Sequence, residues 1–388
     1  MKITCYCQHV LGIGHFHRSL ELCKALAKQH ETVMILGGPE VRLPETDVTF
    51  LQLPGLKMDS NFSKLIPCNS TQELEGIKKA RKEQLWNFFT SFRPDIFLVE
   101  LFPFGRKAFG FELEPVLNGI SEAKLSPCLR ICSLRDILVE KKNKEKYENR
   151  VINRLNSLFD GLLIHSDPAF IPLERTFSAT DSIAIPYHYT GFITPKLPEA
   201  TKENTIRQQL NLSANDKLVV ASIGGGNVGG ELLRATAAAA MLTENNNSLH
   251  FHLFTGPYSD PELQKELKQN ESSQLHIHNF CGNFPEWLRA ADLSISMAGY
   301  NTCMNLLEAS IPALLHPFAQ NREQRMRITA FSQSCDFTLL EKDDLHPENL
   351  VELIYNKLAH PGKANRVDLD GAAKSCALIS KPSLWSRE

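Results

Sequence analysis

The chain has 388 residues, and its 42 Lys and Arg residues against 44 Asp and Glu residues give a formal net charge of −2. Hydrophobic residues make up 43% and charged residues 22%, a composition that excludes an intrinsically disordered chain. The length predicts about two domains. The near-neutral charge excludes a dedicated nucleic-acid binder, and no apolar run approaches the roughly 18 residues of a transmembrane segment.

The amino terminus and the cysteines both favour a cytoplasmic protein. The first residues, MKITCYCQHV, hold one Lys and an apolar stretch interrupted by polar residues, which predicts a first strand and not a signal peptide. The ten Cys residues form no CxxC pair and no Cys/His group with zinc spacing. We therefore predict buried thiols in a reducing compartment, and no metal site.

Short apolar runs alternate with amphipathic stretches in the first half of the chain, a pattern typical of a parallel sheet with crossover helices. The predicted strands are Lys2–Tyr6, Thr32–Leu36, Val48–Leu53, Asp95–Glu100, Leu129–Leu134, Gly161–His165 and Ser182–Pro186. A helix is predicted over Thr71–Phe92, ended by Arg93-Pro94. The spacing of its aromatic residues favours core packing over a lipid-facing surface, and peripheral membrane contact stays open; these residues are Trp86, Phe88, Phe89 and Phe92.

A second series of strands and helices follows a stretch without clear periodicity around Tyr187–Asn204, in which we place a linker at 191–204. The later strands are predicted at Lys217–Ile223, Leu249–Phe254, Leu275–Phe280, Leu293–Ser296 and Pro312–Pro317, with helices beginning near Gly230, Pro261, Pro285, Asn301 and Arg322. The fold class is therefore α/β, with Rossmann-like domains at 1–190 and 205–360 and ligands expected in a cleft between them. Residues 361–388 form a tail, for which packing against the first domain is one option.

A glycine turn follows the first predicted strand. The sequence GIGHFHRS places Gly14 and His15 between this strand and a helix, where the helix dipole favours a neutral imidazole. Such a histidine can take a proton from a substrate hydroxyl. His15 could instead merely cap the helix, and His17 is a lower-ranked candidate for the same role. Arg18 is expected either to hold an anionic group or to be a solvated surface residue.

A second glycine cluster includes Gly224, Gly225 and Asn227, directly before a predicted helix. Its backbone N–H groups are suited to a phosphate or a substrate oxygen, although a flexible loop is an equal alternative. A stronger signal lies in MAGYNTCMNLLEA, where a strand ends in a glycine turn and Asn301 and Thr302 offer side-chain donors and N-caps at the start of a helix. This turn predicts a pyrophosphate site, and Glu308 falls on the same helical face, where its carboxylate could accept both ribose hydroxyls.

The polar loop FAQNREQ follows the next predicted strand and contains Asn321, Glu323 and Gln324. One βα unit after the pyrophosphate turn, it favours recognition of a hydroxyl-rich sugar over a solvated loop.

Taken together, these passages resemble the GT-B glycosyltransferases, specifically the MurG-like, family 28 group. The similarity is strongest over Gly282–Arg327 and over GIGHFHRS, while SLRDIL and LFPFGRKAFGFEL are similar to an uncharacterised branch of predicted glycosyltransferases. The resemblance implies that Gly299, Asn301 and Thr302 hold the diphosphate. It further implies that Glu308 holds the ribose, that Phe280 lies against the base, that Glu323 and Gln324 hold the sugar, and that His15 is the general base.

The resemblance implies a metal-independent transferase of the hexosyl type, which takes its sugar from a nucleoside-diphosphate donor, UDP-linked by expectation, and has no further cofactor. The first domain would then bind an unidentified acceptor. Glu100 and Arg135-Asp136 could orient that acceptor or His15, unless they only form salt bridges between strand ends. Two alternatives stay open. One is a sugar-nucleotide hydrolase or epimerase on the same fold, and the other is a non-catalytic nucleotide-sugar-binding protein.

Overall fold

The computed structural model describes residues 1–10, 14–59, 64–197, 205–226, 228–318, 322–360 and 366–385. The chain divides into two compact units, which we call unit 1 (Met1–Ile193 and Asp368–Glu388) and unit 2 (Thr194–Val367). The carboxyl-terminal segment therefore belongs to the same unit as the amino terminus. None of the described helices combines the length and the apolar character that a membrane crossing requires.

Both units are built from parallel strands connected by helices. The strands are β1 (Lys2–Cys7), β2 (Glu31–Leu36), β3 (Thr49–Gln52), β4 (Leu56–Met58), β5 (Leu65–Pro67), β6 (Ile96–Glu100), β7 (Leu129–Arg135), β8 (Gly161–His165), β9 (Tyr187–Tyr189), β10 (Lys217–Ser222), β11 (Leu249–Phe254), β12 (Leu275–His278), β13 (Leu293–Met297), β14 (Ala313–His316) and β15 (Phe337–Leu339). The α-helices are α1 (Gly14–Ala27), α2 (Leu74–Phe92), α3 (Gly110–Ser121), α4 (Lys144–Leu158), α5 (Thr205–Gln209), α6 (Gly230–Leu242), α7 (Pro261–Lys268), α8 (Phe284–Ala290), α9 (Tyr300–Ala309), α10 (Arg322–Phe331), α11 (Pro347–Ala359) and α12 (Gly371–Ile379).

The sheet of unit 1 has the strand order β3-β2-β1-β6-β7-β8-β9, and every neighbouring pair is parallel. Alternate residues of β1 enter different cores, because side chains of a strand alternate between its two faces. Ile3 and Cys5 pack with residues of α1 and α12, whereas Tyr6 packs with residues of α2 and α3. Helices on both faces explain why the central strands are apolar throughout.

The sheet of unit 2 has the order β12-β11-β10-β13-β14-β15, also parallel throughout. In both sheets the order reverses at the centre: β1 lies between β2 and β6, and β10 lies between β11 and β13. In each sheet, two neighbouring strands (β1 and β6, or β10 and β13) then send their following connections to opposite faces. A crevice results at the carboxyl ends of these strands, the usual ligand site of such folds.

The predicted fold class, two Rossmann-like parallel-sheet domains of the α/β type, is confirmed. The strand predicted at Ser182–Pro186 is wrong. A short 3₁₀ helix occupies Thr180–Ser182, and the edge strand β9 begins only at Tyr187. Pro186 has no N–H to donate and takes part only through its carbonyl, which accepts from the Leu162 N–H at 3.0 Å, so the paired strand begins after it. The hairpin β4–β5 and the edge strand β15 were not predicted, since three residues carry too little pattern.

Helix α2 has the predicted aromatic face, but its most deeply buried polar residue was missed. Phe89 is buried, and Trp86, Phe88 and Phe92 pack partly buried against the same core, as the core-packing interpretation expected. Arg81 on the same face is fully buried; its Nε donates to Glu112 Oε2 at 2.8 Å and its Nη1 to the Gly37 and Pro54 carbonyls at 2.7 Å each. The guanidinium therefore fastens α2 to α3 and to the loops after β2 and β3.

One face of unit 2 carries a stack of imidazole rings from neighbouring strands. The His252 Nδ1 and His278 Nε2 atoms lie 2.9 Å apart, and the planes of the two rings are nearly parallel, at 9° to each other. The His252 ring also lies 4.9 Å from the Trp287 ring of α8. Burial, reinforced by the charges that His278, His276 and His250 would carry, lowers the pKa of His252 to about 3.

We expect this neutral stack to make unit 2 sensitive to acid. An unfolded histidine has a pKa near 6.5, so the unfolded chain binds a proton that folded His252 excludes. Stability is then fully present above about pH 6.5 and falls as the pH decreases toward 3, by up to about 1.4 kcal/mol per pH unit for this histidine. His252→Phe should reduce that slope. Urea unfolding followed by Trp287 fluorescence, with Trp86 and Trp385 replaced by Phe, measures it.

The exposed His360 offers a matched control, because the hydrogen bond that its ring makes among the described residues is to the Asn356 carbonyl of the preceding helix. His360→Phe should leave the pH slope unchanged. An identical slope in His252→Phe and the parent protein would contradict the expectation.

Candidate active site

The switch point of unit 1 brings together His15 and Glu100, two residues 85 positions apart in the sequence. His15 is the second residue of α1, directly after the loop that follows β1, and Glu100 ends the adjacent strand β6. The His15 Nδ1 atom lies 2.6 Å from Glu100 Oε1. The His15 side chain keeps 21% of its surface exposed, whereas that of Glu100 keeps 1%. The imidazole is therefore held from behind by a buried carboxyl group.

The charges of the pair decide which ring nitrogen is available. Burial alone would raise the pKa of Glu100, but His15, Arg18 and Arg106 outweigh it and lower that pKa to about 2. Glu100 is then a carboxylate that can only accept, so His15 donates through Nδ1–H and its Nε2 keeps a lone pair. Burial, assisted by the positive charge of Arg106, lowers the pKa of His15 to about 4. His15 is therefore neutral at physiological pH and can accept a proton.

The structure decides between the roles that the sequence left open for Arg18 and His17. Arg18 is neither a solvated residue nor open to a ligand anion, because it is buried and its Nη2 donates to Glu100 Oε1. The i, i+3 spacing of His15 and Arg18 places both on the Glu100 side of α1. His17 is exposed and packs edge-on against Phe16, 5.3 Å away, so it does not share the site.

Arg106 acts electrostatically on the His15–Glu100 pair, whereas Asp136 is not hydrogen-bonded to it in the part of the chain that the structure describes. Arg106, which the sequence analysis missed, adopts a left-handed conformation (φ 56°) in the loop after β6, and its charge lowers the pKa of both His15 and Glu100. Asp136 follows β7 and is fully buried beside Arg135, with Oδ1 3.5 Å from Nε. Asp136 makes no hydrogen bond to His15 or Glu100 among the described residues.

In unit 2, the glycine cluster after β10 is interlocked with a second loop. Gly224 (φ 65°) and Gly226 (φ 95°) have left-handed backbones, and the Tyr258 N–H donates to the Gly225 carbonyl at 2.9 Å. A Cβ on Gly256 (φ 87°) would lie 2.3 Å from the Gly224 oxygen. Gly256 is therefore a glycine because the two loops touch, a reason that sequence inspection alone does not reveal.

The passage after β13 forms the predicted strand, turn and helix, but the prediction that Asn301 and Thr302 cap the helix is wrong, because both lie inside α9 and no side chain caps it. Gly299 is the N-cap of α9, and the first intrahelical hydrogen bond runs from the Cys303 N–H to the Gly299 carbonyl at 3.0 Å. The backbone N–H groups of Asn301 and Thr302 precede that bond and have no acceptor inside the helix. The second switch point thus combines open N–H groups, the helix dipole and the neighbouring Gly224–Gly226 turn, an arrangement suited to a diphosphate.

Glu308 lies further along α9 and is paired with a residue that sequence reasoning missed. The Lys196 Nζ atom is 3.4 Å from Glu308 Oε2, and the Glu308 side chain is 16% exposed. Lys196 is the third residue of unit 2 and one of two lysines in the predicted linker, and no sequence signal pointed to it. A carboxylate and an ammonium group so close together can accept from ribose hydroxyls and donate to a phosphate.

The remaining predicted donor residues lie at loop and helix ends of the same unit. Phe280 is two residues beyond β12 and 67% exposed, so its ring is available for stacking. Glu323 and Gln324 occupy the first turn of α10, and Gln324 Oε1 accepts from the Phe318 N–H at 2.8 Å. Asn227 and Asn321 lie outside the described residues. Within the described ranges, no group of three or more His, Cys, Asp or Glu is arranged to hold a metal ion.

Comparisons with known proteins agree with this architecture. Residues 220–379 match the model of the glycosyltransferase family 28 C-terminal domain. A UDP-N-acetylglucosamine–N-acetylmuramyl-(pentapeptide) pyrophosphoryl-undecaprenol N-acetylglucosamine transferase of Desulforamulus reducens is 23% identical over 386 residues, covering 96% of this chain and 93% of the relative.

Two solved structures share the fold. A UDP-glucosyltransferase from Polygonum tinctorium, capable of glucosylating indoxyl, has a TM-score of 0.64 at 12% identity and covers 99% of this chain and 98% of its own. MurG of Acinetobacter baumannii has a TM-score of 0.58 at 14% identity, with coverage of 98% and 99%. The chain is a glycosyltransferase with the GT-B fold. Within that class it is MurG-like, and its residues 220–379 match the family 28 C-terminal domain.

The contact between the two glycine loops of unit 2 leads to a prediction. Gly256→Ala combines a left-handed backbone with a 2.3 Å clash on main-chain oxygen, so we expect a loss of about 1–3 kcal/mol in stability. Nucleotide binding should weaken as well, because the Gly224–Gly226 turn must shift. Denaturant unfolding and titration calorimetry with UDP measure the two effects.

Two glycines serve as controls. Gly224→Ala meets no atom within 4 Å and should cost only the left-handed strain of about 1 kcal/mol. Gly282→Ala meets no atom within that distance and needs no left-handed backbone, so it should change neither measurement. Equal losses in Gly256→Ala and Gly224→Ala would disprove the loop contact as the cause.

Proposed function

We propose that this glycosyltransferase transfers N-acetylglucosamine from UDP-N-acetylglucosamine to a hydroxyl of an acceptor linked to a lipid through pyrophosphate. The donor and the acceptor class are those in the names of relatives that this chain matches over most of its length. The observation that carries the proposal is the neutral His15, whose Nδ1 is held by ionised Glu100 and whose Nε2 remains basic.

His15 would act as the general base. Its Nε2 takes the proton of the acceptor hydroxyl while that oxygen bonds to the anomeric carbon, and the bond from this carbon to the diphosphate oxygen breaks, releasing UDP. A base with a pKa near 4 takes the proton only as the new bond makes the hydroxyl acidic. Glu100 fixes the ring orientation and stabilises the imidazolium as it forms, the role of the carboxylate in other histidine-based sites.

Unit 2 would hold the donor. The N–H groups at the start of α9 and the Gly224–Gly226 turn stabilise the departing diphosphate, and the helix dipole favours its negative charge. Glu308 would bind the ribose hydroxyls, Phe280 the uracil ring, and Glu323 with Gln324 the sugar. Because helix ends and backbone amides supply the compensating charge, we propose that transfer proceeds without a metal ion.

Arg106 would serve the acceptor. Its charge lowers the pKa of both members of the His15–Glu100 pair, and we propose that it faces the acceptor. A guanidinium there is suited to a phosphate group, which accepts two parallel hydrogen bonds from it. The ten free thiols of the chain support a cytoplasmic location, where thiols remain reduced.

His15→Ala should lower kcat by about 10²–10⁴-fold, the usual contribution of a general base. UDP affinity should be retained, since unit 2 is untouched. Turnover is measured with UDP-N-acetylglucosamine and a lipid-pyrophosphate acceptor in the presence of EDTA. In the parent enzyme kcat/KM should be constant above about pH 6 and decline only toward pH 4, because His15 has a pKa of about 4.

His17→Ala is the matched control and should leave turnover unchanged, because this exposed neighbour does not contact Glu100. Full activity of His15→Ala would refute the general-base role. UDP release without acceptor would identify a hydrolase, and a changed sugar on UDP an epimerase. Nucleotide binding without turnover across lipid-pyrophosphate acceptors would identify a binding protein.

The proposed role of Glu308 in ribose binding can be tested separately. Glu308→Gln should weaken UDP binding about tenfold and 2′-deoxy-UDP binding much less, because a carboxylate accepts from two hydroxyls and the deoxy ligand offers one. Glu348→Gln, an exposed change in the first turn of α11, should affect neither ligand. Calorimetric titration measures both affinities, and equal losses for the two ligands would exclude Glu308 from ribose binding.

A further inference from the structure

Arg327 in α10 is a fully buried cation that the proposed reaction does not use directly. Its Nη1 donates to the carbonyl oxygen of Ala298 at 3.2 Å. The centre of its guanidinium lies 5.6 Å from the centre of the Tyr300 ring. Ala298 and Tyr300 flank Gly299, so this side chain contacts both sides of the turn that begins α9.

A buried arginine is costly, because its guanidinium stays charged at any physiological pH and loses its hydration. The chain contains an informative comparison in Arg81, the other fully buried arginine among the large side chains, which binds Glu112 and two loop carbonyls within the core of unit 1. Arg327 instead lies against the turn that begins α9, where the N–H groups of Asn301 and Thr302 have no acceptor inside the helix. This position indicates that the guanidinium acts on that turn.

We propose that Arg327 is a positioning residue for the donor diphosphate. It holds the Ala298 carbonyl so that the N–H groups of Asn301 and Thr302 point toward the ligand, and it adds positive potential from behind the turn. This inference rests on the proposed function, because it concerns the same nucleotide site.

Two physical effects support this role. A hydrogen bond to the Ala298 carbonyl restricts the peptide that leads into Gly299, and the direction of the first helical N–H groups follows from that peptide. A guanidinium in a low-dielectric interior also acts on a phosphate across several ångströms with little screening. Both effects strengthen binding of the diphosphate, whereas neither one changes contacts with the base.

The test compares UDP with uridine, which lacks both phosphates, by titration calorimetry on the full-length protein. Arg327→Met should weaken UDP binding about tenfold, equivalent to about 1.4 kcal/mol, and leave uridine binding unchanged. Arg327→Lys keeps the charge and should lose less than about threefold for UDP, because a lysine still supplies the buried cation. Arg325→Met, an exposed change on the same helix at a residue paired with Glu341, should alter neither affinity.

Each result decides a different point. Equal losses for UDP and uridine in Arg327→Met would show a merely structural role, and unchanged UDP binding would show no role; either overturns the inference. If Arg327→Met does not fold, Arg327→Lys decides, since a selective loss for UDP supports the inference and a loss for both ligands overturns it. A parent protein that binds neither ligand would overturn the proposed function and this inference together, whereas a parent that binds UDP isolates the failure to Arg327.

Discussion

The reversal of strand order at the centre of each sheet is the constraint on which both sites depend. Where β1 meets β6, and where β10 meets β13, the chain leaves neighbouring strands toward opposite faces, which is the arrangement that opens a crevice at their carboxyl ends. His15 and Glu100 end up side by side in unit 1 for this reason. The Gly224–Gly226 turn and the start of α9 adjoin in unit 2 for the same reason.

The two sites handle charge in different ways. In unit 1, Glu100 is buried, and His15 and Arg18 compensate it through direct contacts. Both contacts fall on the Oε1 atom of Glu100, and with the charge of Arg106 they keep the carboxylate ionised and leave the histidine neutral. In unit 2 the open groups are mainly backbone N–H groups and helix ends, which carry no formal charge. A net charge of −2 is therefore compatible with a protein that binds a diphosphate.

The elements that could be predicted are those with a long or strongly periodic pattern. The central strands, the helix after Thr71 and the turn before Asn301 follow from apolar runs and glycine positions alone. The edge strands β9 and β15 have three residues each, so their hydrogen bonds to a neighbouring strand define them and their composition does not. Pro186 further displaced β9, since a ladder needs the N–H that proline lacks.

The amino-acid sequence by itself determined the α/β class, the place of His15 at the start of a helix and the glycine turn before Asn301, because each of these depends on residues adjacent in the chain. Only the tertiary structure decided what those residues contact. Glu100 became the partner of His15, Arg18 became buried, Gly256 became indispensable to a loop 30 residues away, and Arg327 came to lie behind Ala298. Such pairings arise when strands and helices distant in sequence are packed together, and no local pattern encodes the distance between two side chains.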